Sequence, residues 1–227
     1  MVTATSKFDL ADQTIEHRSS RARRVLDLLI AVPATILLLP VFALIAIWIK
    51  FDSRGPALFL QERVGLGGFP FRIFKFRTMV VDAEKRGTQI TIGRDPRITR
   101  SGHFLRKYRF DELPQLLNVL KGEMSIVGPR PEVPRYVAMY TNDQRQILAY
   151  RPGITSPASI EFSHENELLA QHLDSADPIG SANPETYYRT QLMPAKIGKD
   201  LLYSRQATVR SDCVIIAKTV ARLLHFH

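Results

Sequence analysis

The chain has 227 residues and a formal charge of +9, from 31 Lys and Arg against 22 Asp and Glu. Its 45% hydrophobic and 23% charged residues are typical of a globular protein and exclude an entirely disordered chain. A single cysteine, Cys213, excludes an internal disulfide framework and a cysteine-rich zinc site, and favours a reducing compartment.

The N-terminal part of the chain predicts a membrane-embedded helix. Residues 1–20 are polar and mixed, which is typical of a flexible tail. An uncharged apolar run covers residues 28–49 and, as a straight helix, would reach about 33 Å, which is enough to cross a hydrocarbon core of about 30 Å. No small-residue cleavage site of a signal peptide follows it. We therefore predict an embedded helix over 21–52 and a single domain over 53–227, with a buried core helix as the alternative.

The flanks of this run do not choose an orientation, since arginine and lysine lie on both sides of it. Two arrangements stay open: a re-entrant helix that enters and leaves by the same leaflet, and a kinked helix that crosses the bilayer. Pro33 and Pro40 each remove a helix donor, so either residue could make the bend. Asp27 would be unfavourable in lipid, and we expect it at the interface or paired with a nearby arginine.

The remaining pattern predicts a mainly helical α+β domain that contains a small β-hairpin. Aromatic residues around a glycine-rich turn favour two short strands within residues 56–79. Residues 80–100 predict a loop with a short helix. A leucine stripe at Leu113, Leu116, Leu117 and Leu120 predicts a helix that ends at Gly122. Further amphipathic helices are predicted over 132–149, over 185–205 with an interruption at Pro194, and over 212–225. Aromatic or leucine residues mixed with Lys and Arg at 71–77, 136–151 and 214–224 suit the membrane interface, and they fit ordinary packing on a core equally well.

Charged residues are concentrated around two adjacent carboxylates, Asp111 and Glu112. Six cations precede the pair: Arg94, Arg97, Arg100, Arg106, Lys107 and Arg109. Such a cluster attracts a polyanion. A helix N-terminus would lower the pKa of Asp111 and keep it ionised, and an aspartate can attack phosphorus to form an acyl-phosphate. The same pair also fits an ordinary N-cap followed by a first-turn acid.

A second polar element follows the leucine stripe. Arg130 stands between two prolines after a glycine, which predicts a stiff loop that presents one guanidinium to phosphate. The same pattern also fits a turn with a solvated arginine. Lys75 and Arg77 are further phosphate candidates, although their alternation with phenylalanines also fits the polar face of a hairpin. Attack on a diphosphate would need a divalent ion, for which we expect Mg²⁺.

The order of these segments resembles the bacterial sugar transferases that are monotopic phosphoglycosyl transferases. The resemblance runs from about residue 21 to the C-terminus, and its motifs are specific when taken together. They read QxRxGxxG at 61–68, KFRTM at 75–79, DPRITRxG at 95–102, LR at 105–106, DELPQ at 111–115, NV at 118–119, GxMS at 122–125, VGPRP at 127–131 and RPGIT at 151–155.

The resemblance implies transfer of a sugar-1-phosphate from a UDP-sugar to polyprenol phosphate, with release of UMP. It implies that Asp111 is the nucleophile and lies at the Mg²⁺ site, that Glu112 is its catalytic partner, and that Arg130 contacts phosphate. The other candidate phosphate or substrate contacts are Lys75, Arg77, Arg97 and Arg106. It also implies a re-entrant helix with its bend at Pro40, where this sequence has Leu39-Pro40 in place of the usual Ser-Pro.

The expected partners are a UDP-sugar donor, a polyprenol phosphate acceptor and the lipid bilayer, with no nucleic acid and with a homodimer left open. The resemblance places the domain on the cytoplasmic face of the bacterial inner membrane, at a first membrane step of glycoconjugate or exopolysaccharide synthesis. Two other functions stay open. A pI near 9.9 also suits a membrane-anchored binder of anionic lipid or nucleic acid, and the same aspartate could serve a membrane phosphatase.

Overall fold

A computed structural model describes residues 21–83, 95–163, 169 and 184–224. The predicted tail over 1–20, most of the predicted 80–100 loop and Arg94 lie outside the described residues. The helices and strands are α1 (Arg21–Asp52), β1 (Leu58–Val64), β2 (Pro70–Phe76), α2 (Arg100–Lys107), α3 (Leu116–Lys121), β3 (Ser125–Val127), α4 (Pro134–Val137), α5 (Asn142–Arg145), β4 (Gly153–Thr155), α6 (Pro157–Glu161), α7 (Pro184–Tyr187), α8 (Met193–Gln206) and α9 (Val209–Leu224). Short 3-10 helices cover Leu66–Gly68, Phe110–Gln115 and Gln146–Ala149, and a π-helical segment, Tyr188–Leu192, joins α7 to α8.

The described residues confirm a mainly helical fold with a small β-hairpin. Strands β1 and β2 pair antiparallel, from Leu58 opposite Phe76 to Val64 opposite Pro70. The connecting turn has a φ of 68° at Gly67, a left-handed conformation that glycine adopts without steric penalty.

Strands β3 and β4 form a second, parallel pair, with Val127 opposite Thr155. The sequence pattern did not predict this pair, because each strand has only three residues and the two lie far apart in the chain.

Two helix predictions need correction. Residues 132–149 form two α-helices, α4 and α5, and a 3-10 helix, because Thr141 starts a new helix through reciprocal hydrogen bonds with Gln144. The leucine-striped segment begins as the 3-10 helix Phe110–Gln115, and regular α-helix starts only at Leu116.

The predicted interruption near Pro194 takes the form of the π-helical segment that precedes this residue, which is consistent with the N–H that proline lacks.

Helix α1 is long and apolar enough to cross a membrane by length and composition. It is nevertheless anchored to the rest of the protein at both ends. The Asp27 carboxylate accepts hydrogen bonds from the Ser125 hydroxyl at 2.9 Å and from the Ile126 N–H at 2.8 Å. At the other end, the Asp52 carboxylate accepts bonds from the Ser101 hydroxyl at 2.8 Å and from its N–H at 2.9 Å. The direct partners of Asp27 are therefore the hydroxyl and backbone of β3, and not a nearby arginine, which is one of the two expectations for this residue.

The two sides of α1 have different surroundings. Ala31 and Ile49 are fully buried and belong to apolar clusters shared with β2, α2 and α3. The opposite side exposes large apolar side chains at Leu29, Ile36, Leu37, Leu44 and Phe51. Large apolar side chains exposed together on one side of a helix are typical of a face that contacts lipid or another protein.

The buried contact of Asp27 predicts a large stability effect. Asp27→Ala should leave the Ser125 hydroxyl and the Ile126 N–H buried without an acceptor, at a cost of about 2–4 kcal/mol. For a domain of this size the midpoint of thermal unfolding in detergent should fall by roughly 5–10 °C. Leu29→Ala, on the exposed side of the same helix, should change it by less than about 2 °C. Equal midpoints for the two variants would contradict the anchoring role of Asp27.

Candidate active site

Asp111 and Glu112 lie in the first turn of the 3-10 helix Phe110–Gln115. The turn starts after Arg109, whose φ of 59° places a non-glycine residue in the left-handed region. That conformation costs of order 1–2 kcal/mol, so contacts within the folded protein must hold it. The turn brings both carboxylates into the protein, where each residue is only 9% exposed.

The Glu112 carboxylate is surrounded by cations. It forms a two-pronged ion pair with the Arg130 guanidinium, in which Nη1 donates to Oε2 at 3.2 Å and Nη2 donates to Oε1. Lys75 Nζ lies 3.5 Å and Arg109 Nη1 lies 3.7 Å from the same Oε1. Burial opposes ionisation of Glu112, but Arg130, Lys75 and Arg109 outweigh it and hold the pKa of this carboxyl well below its usual range.

Asp111 has the opposite electrostatic environment. Its Oδ1 is buried and has no hydrogen-bond partner among the described residues. Burial and the adjacent Glu112 charge raise the pKa of Asp111 to about 6, although Lys75, Arg109 and Arg106 favour the ionised form. The expectation that a helix N-terminus would lower this pKa is therefore wrong, because one 3-10 turn offsets neither desolvation nor a neighbouring anion.

Lys75 reaches Glu112 because strand β2 is held against α3 by one asparagine. The fully buried Asn118 accepts a hydrogen bond from the Phe74 N–H at 3.0 Å through Oδ1. Its Nδ2 donates at 2.8 Å to the Arg72 carbonyl and at 2.8 Å to a Glu123 carboxylate oxygen. The backbone that leads into Lys75, at Arg72 and Phe74, is thus fixed relative to the helix that follows Glu112. Burial lowers the pKa of Lys75 to about 8, although Glu112 raises it.

The loop that carries Arg130 is held by the β3–β4 pair. The Gly128 N–H donates to the Thr155 carbonyl at 3.0 Å, and the Gly153 N–H donates to the Pro129 carbonyl at 2.9 Å. The two glycines approach so closely that a Cβ on Gly153 would lie 2.1 Å from the Gly128 nitrogen. Larger side chains would separate the two segments and shift Arg130 away from Glu112.

Arg63 fixes the far side of the same loop. Its Nη1 donates to the Pro131 carbonyl at 3.0 Å and lies 3.7 Å from a Glu132 carboxylate oxygen. Sequence analysis assigned no role to Arg63 or to Asn118. Both occur within the motifs of the resemblance, but no local pattern shows that their partners are backbone groups about 40 to 70 residues away.

The other predicted phosphate contacts are distributed more widely. The Arg77 guanidinium donates to the carbonyls of Ser53 and Arg54 and to the Ser53 hydroxyl, just beyond the C-terminal end of α1. The Arg97 guanidinium donates to the Asp95 carboxylate, with its closest approach at 2.6 Å. The Arg77 contacts join the end of β2 to the end of α1, whereas the Arg97–Asp95 pair is local. Phosphate binding by Arg77 and Arg97 stays a prediction.

Arg106 is a further predicted phosphate contact whose charge acts on Asp111, as that of Lys75 does. Burial lowers the pKa of its guanidinium, while Asp111 and Asp95 raise it. With Lys75, Arg109 and Arg130, it places four cations around the two carboxylates. Such a group suits a ligand that carries more than one negative charge.

A cavity of about 180 Å³ opens beside Glu112 and Arg130. Its walls are mainly apolar and include Ile154 from β4 and Ile160 from α6. Arg222 of α9 contributes a further cation to the wall. The C-terminal helix therefore takes part in the site, which sequence analysis treated only as an amphipathic helix. A cavity with cationic side chains beside an apolar wall is typical of a binding site for an organic anion.

Comparison with known proteins agrees with this arrangement. A model of the bacterial sugar transferase family matches residues 18–226, and the chain belongs to this family. This confirms the resemblance found in the sequence.

Curated relatives with enzymatic names match most of the chain. It is 37% identical over 208 residues, or 89% of its length, to the UDP-N-acetylgalactosamine-undecaprenyl-phosphate N-acetylgalactosaminephosphotransferase of Aeromonas hydrophila. It is 42% identical over 220 residues to the UDP-glucose:undecaprenyl-phosphate glucose-1-phosphate transferase of Escherichia coli (strain K12) and 37% identical over 213 residues to a protein of the same name from Caulobacter vibrioides. These matches cover 93% and 89% of this chain. The chain spans 43%, 42% and 69% of these three relatives.

The charge balance around Glu112 predicts how Lys75 titrates. Glu112 raises the pKa of Lys75, whereas burial, Arg130 and Arg63 lower it. Glu112→Gln should therefore move this pKa further below about 8. Competitive labelling of Lys75 with an amine reagent, followed by mass spectrometry across pH, would show reaction beginning at lower pH in the variant. Exposed Lys107 serves as the internal control, and an unchanged onset at Lys75 would contradict the proximity of the two side chains.

Proposed function

We propose that the chain transfers a sugar-1-phosphate from a UDP-sugar to polyprenol phosphate and releases UMP. The observation that carries this proposal is the contrast between the two adjacent carboxylates. Cations surround the Glu112 carboxylate. The Asp111 carboxylate is buried, and its Oδ1 has no hydrogen-bond partner among the described residues. The first residue is suited to organising cations and the second to attacking phosphorus. The names of the relatives support the same donor and acceptor classes.

The proposed reaction has two displacements. In the first, an Asp111 oxygen forms a bond to the phosphorus nearer the sugar, and the bond from that phosphorus to the bridging oxygen breaks. UMP leaves with the electron pair, and the enzyme holds an aspartyl-phosphosugar. In the second, a phosphate oxygen of polyprenol phosphate attacks the same phosphorus and restores the Asp111 carboxylate. Arg130, 27% exposed in its side chain and lining the cavity, is placed to contact the phosphate in both steps.

A Mg²⁺ ion fits the chemistry of these residues. The described part of the chain contains no group of three or more His, Cys, Asp or Glu side chains that could hold a metal by itself. Magnesium in phosphoryl-transfer sites commonly uses one or two carboxylates together with substrate phosphates. The unpartnered Oδ1 of Asp111 provides such a ligand. When bound, the ion would neutralise phosphate charge, while Arg130 and Lys75 provide the fixed positive groups.

The contacts of α1 support a re-entrant helix in place of a crossing one. Asp27 and Asp52 bind groups of the same domain from the two ends of the apolar segment. If the segment crossed a bilayer, those groups would lie on opposite sides of it. We propose that α1 enters and leaves by the cytoplasmic leaflet of the inner membrane, with its bend near Pro40. The lipid acceptor and the soluble donor then meet at one interface, at a first membrane step of glycoconjugate or exopolysaccharide synthesis.

Asp111→Asn tests the covalent step. An amide is a much weaker nucleophile, so turnover should fall by at least about 1,000-fold. Intact mass after incubation with Mg²⁺ and a panel of UDP-sugars, without lipid acceptor, should show a gain of one sugar-phosphate in the wild type and none in the variant. The matched control is Asp143→Asn, on the exposed helix α5, which should form the adduct as the wild type does.

Three other outcomes of this experiment would each contradict a different part of the proposal. UMP release that requires polyprenol phosphate, without a stable mass gain, would indicate direct transfer or a short-lived intermediate. Turnover of Asp111→Asn near the wild-type rate would exclude Asp111 as nucleophile. Absence of UMP with every donor and acceptor would contradict the proposed function itself.

Cysteine labelling tests the re-entrant arrangement. Arg21→Cys and Lys50→Cys, each in a Cys213→Ala background, place a thiol at exposed positions on the two ends of α1. A membrane-impermeant maleimide should label both in inverted vesicles and neither in spheroplasts. A crossing helix would give one labelled site in each preparation. Native Cys213, exposed on α9, reports the cytoplasmic side in the unmodified chain.

A further inference from the structure

Three guanidiniums line the cavity beside Glu112, and one of them is not paired with that carboxylate. Arg130 and Arg109 both form ion pairs with Glu112, the second at 3.7 Å. Arg222 of α9 also lines the cavity but has no hydrogen-bond or ion-pair partner among the residues that the structure describes. Three cations thus share one carboxylate in this wall, and the excess of positive charge favours an anionic ligand.

Helix α9 is held against the rest of the protein at its start. The Asp212 carboxylate is 2% exposed and accepts hydrogen bonds from the Arg23 guanidinium of α1, at 2.5 Å from Nε and at 3.0 Å from Nη2. The Tyr203 hydroxyl of α8 donates to the same carboxylate at 2.6 Å. The first turn of α9 is therefore fixed relative to two other helices.

The middle of α9 is bonded to the strand beside the cavity. The Thr219 hydroxyl donates to the Ile215 carbonyl at 2.9 Å and lies 2.8 Å from the Thr155 hydroxyl of β4. Both threonines line the cavity. Arg222 follows Thr219 by three residues, so the two side chains lie on the same side of the helix. The contacts of α9 thus hold Arg222 in the cavity wall.

The proposed reaction brings a second phosphate to the site in each of its two displacements. The attacking and leaving oxygens of a phosphoryl transfer lie roughly in line. In the first displacement UMP therefore leaves from the side of the phosphorus opposite the Asp111 oxygen. In the second, the new oxygen approaches opposite the breaking bond between Asp111 and phosphorus, which is the same side. The phosphate of UMP and the phosphate of the lipid acceptor thus occupy one place in turn.

Arg222 has the chemistry that this place needs. A guanidinium presents its N–H donors in a planar fork that matches two oxygens of one phosphate. Arg130 and Arg109 pair with Glu112, next to Asp111, whereas Arg222 comes from a separate helix. We propose that Arg222 binds this second phosphate, first that of the departing UMP and then that of polyprenol phosphate. This assignment rests on the proposed function, because it places a subsite within the same reaction.

Calorimetric titration with UMP and Mg²⁺ in detergent tests the nucleotide phosphate. Arg222→Gln removes one charged contact to phosphate, so the Kd for UMP should rise at least about tenfold. The matched control is Arg210→Gln, which removes the same charge from an exposed position in the first turn of α9. Its Kd should stay within about twofold of wild type. Equal affinity for UMP in wild type and Arg222→Gln would overturn the proposal.

Steady-state kinetics test whether one subsite serves both phosphates. In a reaction with two displacements, kcat/KM for the UDP-sugar reports the first and kcat/KM for polyprenol phosphate reports the second. Arg222→Gln should lower both values at least about tenfold, with Arg210→Gln near wild type. UMP should inhibit the wild type in competition with polyprenol phosphate. A loss confined to one of the two substrates would overturn the shared subsite.

A second variant separates phosphate binding from packing. Arg222→Lys keeps the charge and loses the planar fork, so it should regain part of the affinity for UMP. A lower midpoint of thermal unfolding in Arg222→Gln, with affinity equally weak in Arg222→Lys, would show a packing role and overturn the proposal.

Inorganic pyrophosphate separates this proposal from the proposed function. If the wild type neither binds UMP nor releases it from any donor, the proposed function fails. Titration of the same variants with pyrophosphate then decides whether Arg222 binds phosphate. Affinity at least about tenfold weaker in Arg222→Gln would support that role, and equal affinity would overturn it.

Discussion

The burial of Glu112 among cations is the constraint on which the rest of the site depends. A carboxylate removed from water is unfavourable by several kcal/mol unless partners replace its hydration. Those partners, Arg130, Lys75 and Arg109, come from three separate segments: the loop after β3, strand β2 and the turn before the 3-10 helix. The hairpin, the helix and the loop must therefore meet at one point for the protein to fold. The same convergence builds the proposed active site.

This constraint explains why two adjacent carboxylates differ so strongly. The cations pair with Glu112. Asp111 is also removed from water and lies beside the Glu112 charge, and the cations offset these two unfavourable effects less directly. A carboxylate whose pKa is raised and whose Oδ1 has no partner among the described residues keeps the basicity that a nucleophile needs. Sequence adjacency alone does not produce this contrast, which depends on which of the two side chains faces Arg130.

Helix α1 belongs to the same folded body as this site. Its buried face contacts β2, α2 and α3, and these elements also position Lys75 and the carboxylate pair. Between Val25 and Trp48 its exposed face is apolar. In the proposed arrangement the site therefore keeps a constant position relative to the bilayer surface, because membrane attachment and catalytic geometry share one packed core. A flexible linker between an anchor and the domain would not fix the position of the site relative to the bilayer.

Local signals in the sequence were enough to predict α1, the hairpin and the leucine-striped segment, because apolar periodicity, glycine turns and charge-free length act over neighbouring residues. The order of the motifs was enough to identify the family. The chain also determined which groups are available for chemistry, namely a carboxylate pair, a guanidinium between prolines and an excess of cations. Only the tertiary structure decided their partners: Lys75 and Arg130 with Glu112, Arg77 with the residues after α1, and Asp27 with β3. These contacts join residues 18 to 99 positions apart. The energy of a buried charge or hydrogen bond depends on where folding places its partner. No local sequence pattern encodes that placement.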